Sequence, residues 1–392
     1  MKDKQDCIEL SVVIPCLNEA ETLGVCIQKA QKSMDQIGIV GEVVVADNGS
    51  TDGSQKIAEG SGARVVNVLS RGYGNALMGG IEASYGRYIV MGDADDSYDF
   101  LELSKFVHLL REGYDLVQGC RLPSGGGTIK PGAMPVLHRW IGNPFFSWLA
   151  RTWFRAPIHD IYCGMRGFTR DAYNRWHLRC TGMEFATEMI IKASLYCERI
   201  AEVPITLHKD GRKANSPHLK TFRDGWRTLR FFILSSPRWL FLVPGSALIT
   251  IGILGYLAGF YNLQIGGIGF DLHTMLASSL FIIMGYQSIL FAIFTKVFAI
   301  NERLLPNDHR IERICKIFTL ERGSMAGFLL FSIGIYLLAQ STWIWHQQQY
   351  GVLDYSEIMR KVIPGVVSAA LGIQTILSSA FISILSLSRR MR

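Results

Sequence analysis

Asp93, Ala94 and Asp95 close the apolar run Arg87-Tyr-Ile-Val-Met-Gly92. Residues two apart on a strand face the same side, so a strand leaving a sheet here aims both carboxylates at one point. There they can chelate a hard divalent cation, the grip an enzyme needs on a diphosphate. An acidic triplet after a strand also serves as a solvated turn that caps the next helix. The neighbouring elements decide between these readings.

The stretch around the triplet alternates strands and helices. Leu10-Ser-Val-Val-Ile14 is a strand closed by Pro15, and Asn18-Glu-Ala-Glu-Thr22 opens a helix running to Met34. Glu42-Val-Val-Val-Ala46 is a second strand, stopped by the turn residues Asp47-Asn-Gly-Ser-Thr-Asp52 ahead of a helix over Gly53–Gly60. A strand over Ala63–Leu69, a helix over Asn75–Tyr85 and the strand Arg87–Met91 follow. Continuous apolar strands separated by helices predict an α/β domain with a mostly parallel sheet covered on both faces. Ligands in such sheets bind beyond the carboxyl ends of the strands. Pro15, Asn18, Glu19, Asp47, Asp52, Asp93 and Asp95 then share one rim, although each also fits a turn or a cap. No strand is followed by G-x-G-x-x-G, which argues against a dinucleotide site. Gly72-Tyr-Gly74 reads as a short loop.

The chain has 392 residues and a formal net charge of +7, and its hydropathy divides it into unlike parts. Apolar runs at Trp239–Tyr261, Met275–Ile300, Met325–Trp345 and Val362–Leu387 are each long enough to cross a hydrocarbon core about 30 Å thick. Polar linkers between these runs argue against core helices of a soluble domain. The linker Asn301–Arg322 carries Arg303, Arg310, Arg313, Lys316 and Arg322, the tail ends Arg389-Arg390-Met391-Arg392, and Asn262–Thr274 has no Lys or Arg. The positive-inside rule then expects a multi-pass protein with the α/β domain and both termini in the cytoplasm, Arg360 and Lys361 being mild dissenters. The polar stretch Met1-Lys-Asp-Lys-Gln-Asp-Cys7 is not expected to be a signal peptide. Eight scattered cysteines without a C-x-x-C pair fit a reducing compartment and no zinc site.

Ser11-Val-Val-Ile-Pro-Cys-Leu-Asn-Glu19, Val45-Ala-Asp-Asn-Gly-Ser-Thr-Asp-Gly53, Asp93-Ala-Asp95 and Cys163-Gly-Met-Arg-Gly-Phe168 resemble the family 2 glycosyltransferases. Within them the chain is most similar to the polyprenyl-phosphate group, the dolichol-phosphate mannose or glucose synthases, over about residues 9 to 235. The resemblance implies a GT-A fold, a Rossmann-like mostly parallel sheet, followed by a helical transmembrane domain. Residues 1–217 would form the catalytic domain, 218–238 an interfacial region and 239–392 the membrane domain.

By the same resemblance Pro15, Glu19 and Asp47, with Asn18 and Asp52 beside them, would bind the nucleotide sugar. Asp93 and Asp95 would hold Mg²⁺ or Mn²⁺ on its diphosphate. Many members place Gln two residues beyond the second Asp; here that place belongs to Ser97, the expected third ligand. Arg121, Arg139 and Asn143 would lie near the donor or the lipid phosphate, behind the glycine-rich loop that starts at Arg121-Leu-Pro-Ser-Gly-Gly-Gly127. Asp160 would stand near the reacting centre, with Asp95, Arg121 and Arg139 as its catalytic companions. Arg212 and Ser216 would face the lipid phosphate.

Glu184 and Glu188, four apart on a helix, would tie down basic groups of the site. Asp224-Gly-Trp-Arg-Thr-Leu-Arg-Phe-Phe-Ile-Leu234 reads as a helix in the membrane interface, anchored by Trp226 and Trp239.

The implied reaction is inverting transfer of a hexose, glucose or mannose, from a UDP- or GDP-sugar to undecaprenyl or dolichyl phosphate. Membrane lipids are the other expected partners. Nucleic acid is not, and a homo-oligomer is left open. A processive polysaccharide synthase is the rival enzyme, but its Gln-x-x-Arg-Trp motif is absent. A lipid flippase or transporter with a nucleotide-binding regulatory domain is the rival from another class. Lys296, near the end of its span, is nearly the only charge within one, which disfavours that reading.

Overall fold

The computed structural model describes residues 8–212, 221–302 and 304–386. Two compact units divide between Phe232 and Ile233. The first is built on a seven-stranded sheet in the order β3-β2-β1-β4-β7-β5-β8. Its strands are β1 (Leu10–Cys16), β2 (Gly41–Asp47), β3 (Arg64–Asn67), β4 (Tyr88–Met91), β5 (Leu116–Cys120), β7 (Arg166–Thr169) and β8 (Ile200–Pro204). Only β7 runs antiparallel to its neighbours. A two-stranded sheet pairs β6 (Thr128–Ile129) with β9 (Thr206–Leu207). Helices α1 (Leu23–Ile37), α2 (Ser54–Gly60), α3 (Tyr73–Ala83), α4 (Leu103–Arg111), α5 (Asn143–Phe154), α6 (Arg170–Trp176), α7 (Glu184–Leu195) and α8 (Thr221–Leu234) complete the unit. Hydrophobic layers cover both faces of the main sheet, as continuous apolar strands require.

Two local expectations are corrected. β1 does not close at Pro15 but continues to Cys16, because β4 pairs with β1 only from Leu10 to Val13 and the missing N–H of Pro15 breaks no bond on that side. Asn18 does not open α1, which starts at Leu23. Asn18 sits instead in the left-handed region (φ 59°) and accepts the Thr51 N–H at 2.8 Å.

The α8 helix is amphipathic in a way the sequence showed only in part. Phe232 is fully buried against Phe146, Trp153 and Phe154, whereas Trp226 is exposed.

In the second unit four helices are long and apolar enough to span a membrane, over Arg238–Phe260, Leu272–Asn301, Leu320–Gln347 and Tyr355–Ser386. They contain α9 (Val243–Phe260), α10 (Leu272–Asn301), α12 (Leu320–Gln347) and α13 (Tyr355–Ser386), with the short α11 (His309–Ile317) between α10 and α12. They form two hairpins on one pattern. A Cβ on Gly245 of α9 would lie 2.9 Å from the Gly285 carbonyl of α10, and one on Gly327 of α12 2.7 Å from the Gly372 carbonyl of α13. Gly252 meets Ser278 and Ile282 as Gly334 meets Gly365 and Ala369. Around these contacts Gly285-Tyr-Gln-Ser-Ile-Leu290 parallels Gly372-Ile-Gln-Thr-Ile-Leu377. Small residues let backbones approach where no hydrophobic drive exists between helices. The equivalent rings Phe294 and Phe381 touch across the seam of the repeat, centroids 4.8 Å apart. Lys296 pairs with Asp308 at the start of α11. Arg360 donates to the Phe260 carbonyl and the Asn262 side chain, so this dissenting cation ties the helix to the linker after α9.

Candidate active site

The loops after β1 and β2 are laced together by side chains that cap each other's backbone. Asn18 N–H donates to Ser50 Oγ (2.9 Å), Glu19 N–H to Ser54 Oγ (3.0 Å) and Ala20 N–H to Asp52 Oδ2 (2.9 Å). Asp52 Oδ1 also accepts from Ser54 Oγ at 2.6 Å, so Asp52 is engaged in holding the two loops in register. Asp47 accepts from the Gly49 and Ser50 amides and from Gln55 Nε2. Burial pushes its carboxyl up, but the hydrogen bonds from Ser50, Gln55 and Gly49 outweigh that and hold it below the ordinary range. Pro15 pairs in register with Ala46 beside these loops.

Three carboxylates gather around one guanidinium. Arg212 Nη1 donates to Glu19 Oε1 at 3.1 Å and Nη2 to Asp210 Oδ2 at 2.6 Å, while Nη2 lies 3.8 Å from Asp95 Oδ2. The segment carrying Arg212 is docked on the acidic loop by backbone bonds, His208 N–H to Ser97 O and Gly211 N–H to Asp95 O, both 2.9 Å. Arg212 is thus held within the acidic cluster by three carboxylates. Ser216 lies outside the described residues.

Asp93 and Asp95 are each oriented by a hydroxyl. Tyr73 donates to Asp93 Oδ1 at 2.9 Å. Ser97 donates to Asp95 Oδ1 through both N–H (3.0 Å) and Oγ (2.6 Å). The other oxygen of Asp93 is kept open by Gly164, where a Cβ would stand 2.6 Å from Oδ2. Burial and the charge of Asp95 push Asp93 up to about 6, against the pull of Tyr73, Arg121 and Arg166. Burial, with Asp95, Asp210 and Asp93 adding to it against Arg212, pushes Glu19 up to about 7. Glu19 Oε2 is buried with no hydrogen bond among the described residues.

No group of three or more His, Cys, Asp or Glu converges in metal-ligand geometry among the described residues. The open oxygens of Asp93, Asp95 and Glu19 are nevertheless hard donors, and Glu19 and Asp95 already share one cation, the Arg212 guanidinium. They suit Mg²⁺ or Mn²⁺, which keep most of their coordination for water and phosphate oxygens.

Beside this cluster Arg121 and Asp160 form a buried bidentate pair. Nε donates to Oδ2 at 2.7 Å and Nη2 to Oδ1 at 2.9 Å, and the Arg121 amide adds a third bond at 3.1 Å. Asp160 is fully buried and committed to Arg121. Tyr98 Oη accepts from Arg121 Nη1 (3.2 Å) and from the Gly164 N–H (2.8 Å), which joins the pair to the loop over Asp93. Arg166 is fully buried; its bonds run to the Ala186, Ile161 and Cys163 carbonyls, and burial lowers its pKa. The sequence reading missed Tyr73 and Tyr98 and gave Arg166 no role. Tyr98 was signalled only by its closeness to the acidic triplet.

Arg139 and Asn143 stand one turn apart where a π-helical stretch, His138–Gly142, runs into α5. Asn143 is buried, and its side-chain amide meets Met134 Sδ at 3.5 Å. Arg139 lies over the Trp140 ring at 5.3 Å, and its buried Nε has no hydrogen bond among the described residues. Val136, Trp140, Ile141, Phe145 and Trp148 form an exposed apolar ridge around it. That ridge went unread in the sequence. Glu184 opens α7, and Glu188 accepts the Arg179 and Cys180 amides and pairs with Lys192 at 2.9 Å.

The glycosyl transferase family 2 model matches residues 11–176, and the family's C-terminal transmembrane region matches residues 293–386. A low-salt glycan biosynthesis hexosyltransferase, Agl6 of Haloferax volcanii, is 36% identical over 371 residues, 94% of this chain and 87% of that protein. The dolichyl-phosphate hexose transferase of the same organism is 33% identical over 219 residues, 55% of this chain and 89% of that one. A crystal structure of glucosyl-3-phosphoglycerate synthase from Mycobacterium tuberculosis with Mn²⁺, uridine diphosphate and phosphoglyceric acid superposes with a TM-score of 0.45. It is 24% identical, covering 59% of this chain and 78% of that chain. Matching both regions in order, and a hexosyltransferase along nearly its whole length, the chain belongs to glycosyltransferase family 2 as a membrane-attached member.

Proposed function

We propose that the protein transfers a hexose from a UDP- or GDP-sugar to a polyprenyl phosphate, with inversion, at the cytoplasmic membrane surface. The observation that carries this is the pairing of Glu19 and Asp95 with Arg212, next to the buried Asp93 whose charge meets that of Asp95, in a chain with four membrane-length helices among the described residues. Asp93 and Asp95 would hold Mg²⁺ or Mn²⁺, with Ser97 orienting Asp95. The ion supplies neutralisation of the charge that develops on the departing nucleoside diphosphate. Pro15, Asn18, Glu19 and Asp47 would seat the nucleoside, Asp52 holding their loops.

A phosphate monoester with its second pKa near about 6 is largely dianionic at neutral pH and needs little help from a base. One of its oxygens attacks the anomeric carbon as the bond from that carbon to the diphosphate oxygen breaks. The site's task is to bring two anions together. Arg212 serves the donor diphosphate from within the acidic cluster. Arg139, whose buried Nε has no hydrogen bond among the described residues, and Asn143 serve the lipid phosphate. Arg121 is held by Asp160 and Tyr98 as a fixed positive charge between them. The ridge from Val136 to Trp148 suits contact with lipid, aromatic and aliphatic side chains entering the interface around a cation.

In this reading the catalytic domain and both termini face the cytoplasm. The test is purified full-length protein with polyprenyl phosphate and a panel of UDP- and GDP-hexoses, with and without EDTA. One donor should be consumed only with lipid and divalent cation present. Consumption unaffected by EDTA would refute the metal assignment, and consumption without lipid would refute the acceptor.

A further inference from the structure

The segment Gly72-Tyr73-Gly74, the cap and first two residues of α3, carries a hydroxyl to the acidic pair, and its glycines are required by what they touch. Gly72 has φ +138°, and a Cβ there would lie 2.3 Å from the Thr181 carbonyl oxygen. A Cβ on Gly74 would lie 2.2 Å from the Cys180 carbonyl oxygen. Both obstacles are backbone, so neither can swing aside. Asn75 N–H closes the clasp on Thr181 O at 3.2 Å, and Gly72 N–H is held by Asn48 Oδ1 at 2.8 Å.

The opposing segment is fixed in turn. Glu188 Oε2 accepts the Arg179 N–H (2.9 Å) and the Cys180 N–H (2.8 Å), and Lys192, paired with Glu188, donates to the His177 carbonyl at 2.6 Å. From this clasp Tyr73 Oη reaches Asp93 Oδ1 at 2.9 Å.

We infer that Tyr73 is a positioning residue for the metal site: its hydroxyl occupies one oxygen of Asp93 and fixes the carboxylate so that Oδ2 faces the cation. Partners of this kind set the orientation of ligating carboxylates, and their loss typically weakens metal binding by about 10-fold to 100-fold. Gly164 completes the arrangement by leaving Oδ2 uncovered. The clasp also gives Glu188 its part, since the carboxylate anchors the backbone against which the glycines close. The inference rests on the metal reading of Asp93 and Asp95.

The experiment titrates Mn²⁺ alone into the purified full chain, following free Mn²⁺ by electron paramagnetic resonance, for wild type, Tyr73→Phe, Gly74→Ala and Asp95→Asn. Thermal unfolding of each confirms the fold. Tyr73→Phe keeps the ring and its packing, so a purely structural tyrosine predicts unchanged Mn²⁺ affinity. The expected result is affinity weaker by about 10-fold or more in Tyr73→Phe, and weaker in Gly74→Ala, which keeps Tyr73 but forces the clasp open. Wild-type affinity in folded Tyr73→Phe overturns the inference, and should that variant not fold, wild-type affinity in Gly74→Ala does so. No Mn²⁺ bound by wild type, or none lost in Asp95→Asn, removes the metal reading itself and the inference with it.

Discussion

Arg212 Nη1 lies 3.1 Å from Glu19 Oε1, two residues 193 positions apart in sequence. The bond joins the loop after β1 to the segment after β9, and in the proposed reading its guanidinium supplies counter-charge to the donor diphosphate. Arg212→Ala is expected to raise the KM for the nucleotide sugar by roughly 10-fold to 100-fold, the worth of a hydrogen bond to a charged group. The KM for polyprenyl phosphate should change little. Steady-state kinetics varying each substrate separates the two, and an effect confined to the lipid would return Arg212 to the acceptor.

Asp95→Asn removes charge from the cluster without changing its size. Transfer is expected to fall by at least about 100-fold, the scale on which preorganised electrostatic groups act. The thermal unfolding midpoint should not fall, because the variant also relieves repulsion among Glu19, Asp93 and Asp95.

Asp160 is committed to Arg121 by three hydrogen bonds, so in the proposed reading it acts through that side chain. Asp160→Ala strands a guanidinium whose side chain is only 9% exposed, and breaking such a pair costs about 3–5 kcal/mol. Denaturation of the detergent-solubilised protein should show that loss directly. Undiminished stability with lost activity would instead make Asp160 a reacting group.

Glu19 and Asp93 give the fold an unusual pH dependence. Their ordinary values are 4.5 and 3.8, and in the folded protein they rise to about 7 and about 6. An acid whose folded pKa is raised favours the fold while protonated. Its contribution is complete below about pH 4 and is lost as the pH climbs through about 6 to 7. Stability without metal should therefore decline across that window. Saturating Mn²⁺ should oppose the decline, since it binds the ionised carboxylates. Thermal midpoints from about pH 5 to about pH 8, with and without Mn²⁺, check both signs.

Arg139→Gln leaves the ridge intact and removes its cation. The expected outcome is a KM for polyprenyl phosphate raised by roughly 10-fold, with the donor KM unchanged. Trp140→Ala should act in the same direction in lipid vesicles and less in detergent with a short-chain acceptor, because the ring's contribution is contact with the membrane.

The α/β sheet and its acidic rim were legible because parallel strands are continuous apolar runs and the residues after them must lie beyond their carboxyl ends. Glu19, Asp47, Asp93 and Asp95 follow from that rule alone. What was not legible depends on pairings distant in sequence. Tyr98 meets Gly164 across 66 residues and Arg121 meets Asp160 across 39, and no local pattern marks either. Gly72-Tyr-Gly74 looked like a loop because the backbone that requires its glycines, Cys180 and Thr181, comes from another part of the chain. The stretch from Val136 to Trp148 follows a glycine-rich segment that reads as a loop, and its apolar ridge shows only when the fold exposes it. The four spans stood out by length, whereas their two-hairpin pattern rests on spaced glycines within otherwise divergent sequence.

The most direct test of the central claim is the mass of the lipid. Undecaprenyl phosphate incubated with the purified protein, Mn²⁺ and the accepted hexose donor should gain the mass of one hexose, and the gain should vanish with Asp95→Asn. An unmodified lipid with every donor tried, or a ladder of added hexoses, would contradict the account.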